Sequence, residues 1–148
     1  MRYLVLLADR EKAILLIVSE GKLLEQKTIF DGEVPQNVKA KKIDYGRDDK
    51  IFRHIEQHLH YHLQYIAKET QVFIKGKNIS FIILGGHEEL IPKMRVHLLY
   101  PLNKMVKGKF ITELNIPIND VLIHSGKIAD EINQKLTKRM RKTRQIIR

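Results

Sequence analysis

Four of the chain's seven histidines, His54, His58, His60 and His62, fall within nine residues of the stretch FRHIEQHLHYHLQYIAKE, residues 52–69. Imidazole can ligate a transition metal, exchange a proton near neutral pH, or stack on a nucleobase, so the run raises three chemistries at once. On a helix, His54, His58 and His62 are spaced by four, and successive members face one another closely enough for a pair to share an ion. A zinc site needs a third ligand. Glu56 and His60 lie on other faces of such a helix, no H-E-x-x-H occurs, and the chain has no cysteine to close a site. The run is therefore read as a helix face with no metal. His54, His58, Tyr61 and Tyr65 form a half-exposed stripe suited to stacking on bases or bonding phosphates.

Cationic residues make up the second candidate site. Net charge is +10, and from Lys135 to Arg148 seven basic residues stand with no acidic one, against 20 basic and 17 acidic residues in the chain before them. An end this biased points to an anionic partner. Lys138, Arg139, Arg141, Lys142 and Arg144 carry it, and the arginines favour forked bonds to phosphate. Few large apolar residues and no aromatic anchor accompany them, which selects nucleic acid over a membrane surface. A looser set, Lys41, Lys42, Arg47, Lys50 and Arg53, is diluted by Asp44, Asp48 and Asp49 and is read as further RNA contacts. The carboxylates Asp9, Glu56 and Glu88 or Glu89 are the only set able to gather two divalent ions for nuclease chemistry. Asp9, however, belongs to a turn, and Glu88 and Glu89 suit a helix N-terminus.

The elements that must position these groups follow from hydrophobic periodicity. Residues 2–8 and 13–18 are apolar runs around the charged turn DREK, and residues 23–30 follow the turn SEGK, giving a three-stranded antiparallel meander. Residues 31–49 are polar, with Gly32, Pro35 and Gly46, and read as a long loop. Asp48 or Asp49 caps a helix to about Lys75, whose apolar stripe is Ile51, Ile55, Leu59, Leu63, Ile66, Thr70 and Phe73. SFIILGG, residues 80–86, is a buried strand. A helix from about residue 90 to 105 follows, kinked at Pro101, then a strand over 107–118 and a last helix from about Asn119 with Ile128, Ile132 and Leu136 on one side. This βββαβαβα order predicts an α/β fold with a mixed central sheet, in the ribonuclease H-like arrangement. Residues 1–134 form the domain and residues 135–148 a basic helix end or tail. The absence of cysteine fits a reducing compartment, the cytoplasm, and Asp9, Arg10, Glu11 and Lys12 interrupt the apolar N-terminus too early for a signal or a membrane span.

LLADREKAILLIVSEGKL, FIILGGHEEL and FITELNIPIND resemble the bacterial relatives of the archaeal and eukaryotic class I peptide-chain release factors, over their central domain and about residues 2–134 here. The resemblance implies a ribonuclease H-like domain that enters the ribosomal A site, with ribosome, rRNA or tRNA as partners and no cofactor. In true release factors a Gly-Gly-Gln loop between the meander and the first long helix promotes hydrolysis of peptidyl-tRNA. Here that loop is IDYGRDDK, residues 43–50, with one glycine and no glutamine, while Gly85, Gly86 and His87 imitate the motif in the wrong place. The reading is a translation factor of ribosome rescue or quality control, as in related rescue factors that lack the motif. The codon-reading and partner-recruiting domains fall outside the resemblance, so stop-codon reading is not expected. The alternatives are a peptidyl-tRNA hydrolase with a divergent loop and a metal-dependent ribonuclease H-like nuclease.

Overall fold

The computed structural model describes residues 1–30 and 48–146, with side chains at 1–30 and 55–138. Strands β1 (Arg2–Ala8), β2 (Lys12–Ser19) and β3 (Lys22–Phe30) are followed by α1 (Asp48–Ile74), β4 (Ile79–Gly86), α2 (Leu90–His97), α3 (Leu102–Met105), β5 (Val106–Ile111) and α4 (Ile118–Ile146). The sheet order is β3-β2-β1-β4-β5. The meander pairs antiparallel, and β4 lies parallel to both β1 and β5, so the sheet is mixed as its order predicts.

Local chemistry sets the meander. The Asp9 carboxylate accepts hydrogen bonds from the backbone N–H of Glu11 and of Lys12, both at 2.7 Å, and Asp9 N–H donates to the Lys12 carbonyl at 3.0 Å. An aspartate that bonds the backbone two and three residues on closes a tight turn by itself. At the second turn Glu20 and Gly21 both have positive φ, 52° and 75°, which gives the backbone a twist that matches the flanking strands.

Helices cover both faces. On one, Leu4, Leu6, Leu15 and Ile17 of the sheet meet Leu59, Leu63 and Ile66 of α1 and Leu90 and Met94 of α2. On the other, Tyr3, Val5, Leu16 and Ile83 meet Val121, Ala129 and Ile132 of α4. Strand β1 is buried on both sides after Arg2, which is why it reads as an unbroken apolar run rather than an alternation. The edge strand β5 alternates between half-buried and exposed residues, with Gly108 and Phe110 turned toward α4.

Four details differ from the sequence expectations. Ile55 is 50% exposed, so among described side chains the core stripe of α1 begins at Leu59. The single helix expected over 90–105 is two: Leu98 turns to extended backbone with ψ 133°, three residues before Pro101, which has no N–H for the His97 carbonyl and whose ring would clash with that carbonyl in a continued helix. The last strand stops at Ile111 rather than 118. Pro117 then accepts the first helical bonds from Asp120 and Val121, and α4 begins at Ile118, one residue before its expected start. Leu136 is exposed, and Ile132 is the last buried residue of α4 among the described side chains.

Candidate nucleic-acid interface

Helix α1 distributes its histidines among three environments. His62 is 0% exposed, and its Nε2–H donates to the carbonyl of Asp9 at 2.9 Å, tying α1 to the β1–β2 turn. It sits three residues after Leu59 and four before Ile66, on the flank of the apolar stripe, and the turn closes over it. Its place in the four-residue histidine series therefore concealed a buried structural role. His60 points the other way, its Nδ1 lying 2.8 Å from Nε2 of His97 on α2. His97 Nδ1 is 2.7 Å from the Lys93 carbonyl and must donate to it, which leaves Nε2 of the neutral ring to accept from His60. His58 is half-buried, Tyr65 packs against the core, and exposed Tyr61 accepts a hydrogen bond from Gln57 at 3.1 Å. The His54 side chain lies outside the described residues.

The expected carboxylate set does not assemble. Asp9 is engaged in its turn, and Glu89, at the N-terminal end of α2, pairs with Arg10 at 3.5 Å. No group of three His, Asp or Glu side chains is placed to hold a metal ion among the described residues. Gly85, Gly86 and His87, which imitate a catalytic motif, have a packing explanation. A Cβ at Gly85 would lie 2.4 Å from Leu7 Cδ2, and one at Gly86, whose φ is +131°, would lie 2.3 Å from the Ala8 carbonyl oxygen. Both glycines let β4 approach its neighbours closely.

The basic residues divide between the two faces of the molecule. Lys138 is exposed on α4, and Arg139, Arg141, Lys142 and Arg144 follow on the same helix, their side chains outside the described residues. At 1.5 Å per residue, α4 continues for about 21 Å from Ile132 to its end. Lys50 and Arg53 stand in the first turns of α1, on the opposite face of the sheet, and their side chains also lie outside the described residues. Lys41, Lys42 and Arg47 lie outside them altogether, as does the loop that would correspond to Gly-Gly-Gln up to Asp48.

Two of the three comparisons with known proteins agree with this architecture. The model of bacterial archaeo-eukaryotic release factor family 10 matches residues 1–135. Nothing among the curated proteins matches the sequence. Among solved structures, the archaeal translation termination factor aRF1 superposes with a TM-score of 0.54 at 14% identity, covering 93% of this chain and 41% of that one. Pelota of Archaeoglobus fulgidus gives 0.56 at 11% identity, covering 92% and 34%. The chain thus spans less than half the length of either, and at these identities the likeness is one of fold. The family match covers nearly all of the sequence, including the meander, β4 with its paired glycines, and most of α4. The chain belongs to bacterial archaeo-eukaryotic release factor family 10.

Proposed function

We propose that this protein is a translation factor that associates with the ribosome through rRNA or tRNA contacts and acts in ribosome rescue or a related quality-control step in the cytoplasm. The observation that carries the reading is the family match over residues 1–135, on a fold shared with a termination factor and with Pelota. Residues 1–134 would supply the docking body and residues 135–148 the basic helix end that grips phosphate. None of the described helices is long and apolar enough to cross a membrane.

A non-hydrolytic role is favoured because residues 43–50 hold one glycine and no glutamine, and because Gly85 and Gly86 are fixed by packing. Positioning a water on an ester needs a loop that can approach the substrate backbone closely, and one glycine leaves little room for it. The test is a peptide-release assay on programmed ribosomes carrying peptidyl-tRNA. No release at release-factor rates is expected; rapid codon-independent release, abolished by changing Tyr45, Gly46 or Arg47, would replace this reading with the hydrolase one.

A further inference from the structure

The charge of this protein is concentrated in two segments free of acidic residues. One is residues 135–148. The other, residues 90–112, contains Lys93, Arg95, Lys104, Lys107 and Lys109, while the rest of the chain holds 15 basic against 17 acidic groups. The second segment comprises α2, α3 and β5. Three cations elsewhere meet carboxylates: Arg10 with Glu89, Lys27 with Glu69 at 2.7 Å, and Lys77 with Glu25 at 3.0 Å. None of the five cations of residues 90–112 does so among the described residues.

Register and packing gather most of them along one edge. A Cβ on Gly108 would touch Ile128 of α4, and Phe110 stacks on His124, so these two β5 residues face α4. Lys109 and Ile111 therefore project to the opposite face, where α2 and α3 pack over β4. Lys107 is the additional residue where pairing shifts between Ile82↔Val106 and Ile83↔Gly108. On α2, His97 meets His60 of α1, and Arg95, two residues away and so about 160° around the helix, emerges on the flank away from α1. Tyr100 is 76% exposed between Arg95 and Lys104.

Helix α4 joins the same edge. His124 lies beside Phe110, and Ile128 and Ile132 beside Gly108, so α4 runs antiparallel to β5 and continues past its beginning. Its course carries exposed Lys135 and Lys138 toward the end of the sheet where α3 feeds into β5.

We propose that this band, Arg95, Tyr100, Lys104, Lys107 and Lys109 continued by the basic end of α4, is a track for single-stranded RNA. The inference rests on the ribosome-binding reading and deepens it by naming the surface that engages RNA. Lysines on an edge strand also discourage pairing with other chains, and Lys107 and Lys109 serve that end. Edge protection, however, requires neither cations on α2 and α3 nor the exclusion of every carboxylate from 23 residues. An exposed tyrosine among unpaired cations is the combination that binds single strands, the ring stacking on a base while the cations follow the phosphates.

The test uses the full chain and a fluorescein-labelled oligouridylate longer than the ~4–16 nucleotides of one single-strand site. Anisotropy is followed across a salt series for wild type, the triple variant K104E/K107E/K109E and Tyr100→Ala, with thermal melting as control. The triple variant should bind at least tenfold more weakly, as an order of magnitude, and the slope of log K against log salt should flatten by about 2, at ~0.7 for each phosphate no longer neutralised. Tyr100→Ala should weaken binding about fivefold or more without changing the slope. It carries the test alone if charge reversal impairs folding. Wild-type binding unchanged in both variants would overturn the track and leave the ribosome reading standing. A wild type that binds neither this RNA nor ribosomes would overturn both. Binding of polyglutamate but not RNA through the same lysines would overturn the track in favour of an acidic protein partner.

Discussion

Two buried polar residues show how single side chains fasten the layers together. His62 bonds the carbonyl of Asp9, whose carboxylate closes the first hairpin, so one imidazole links α1 to the turn that begins the sheet. His62→Ala removes a buried hydrogen bond and leaves a void, and should cost about 2–4 kcal/mol by urea denaturation; a change below about 0.5 kcal/mol, the scale of a surface substitution, would show that the bond contributes little. Tyr3 stacks on Phe81 at 5.2 Å under α4, and burial raises its phenol above the ordinary value near 10, with Ser125 bonding opposing the shift and Asp130 adding to it. The folded state therefore holds this proton more tightly than the unfolded state does. Its contribution is fully present below about pH 10 and is lost as pH rises from there toward the raised folded value. Tyr3→Phe should be the less stable protein at neutral pH, by about 0.5–1.5 kcal/mol for the missing hydrogen bond, and the gap should close above about pH 10. A gap independent of pH would contradict the assignment.

At the scale of elements, α4 has two halves with different tasks. Its first turns pack Val121, Ala129 and Ile132 against the sheet, whereas the described residues from Gln134 to Lys138 are all exposed. Deleting residues 138–148 should leave a cooperative melting transition while weakening RNA binding and flattening its salt dependence, by about 0.7 in slope for each single-strand phosphate the segment neutralises. Unchanged affinity and slope would make the segment a solvated helix end, and loss of the melting transition would show that it packs on the domain. The start of α4 and the whole meander are legible in the sequence because their signals are local: a charged turn between apolar runs, and a stripe at helical spacing. His62 is not legible, because its burial depends on a turn 53 residues away in sequence. The break between α2 and α3 is half-legible, with Pro101 marking the place but not how early the helix ends. The cations of residues 90–112 are visible in the sequence, but the face they reach is not, because they are spread across three elements and the register of β5 decides which side Lys109 takes.

For the molecule as a whole, a domain with the fold of aRF1 and Pelota carries its excess positive charge in two acid-free segments, while the rest of the chain is close to neutral. Such a distribution guides an anionic partner to one side and speeds its capture at low salt. Family membership favours the proposed ribosomal partner, whereas an unrelated RNA-binding role would account only for the charge asymmetry. Purified protein should be titrated against purified ribosomes whose A site is either vacant or filled with tRNA, with binding followed by pelleting at several salt concentrations. Saturable binding to the vacant ribosome, weakened by salt and displaced by A-site tRNA, is the expected outcome. No binding, or binding indifferent to occupancy of the A site, would refute a role at that site.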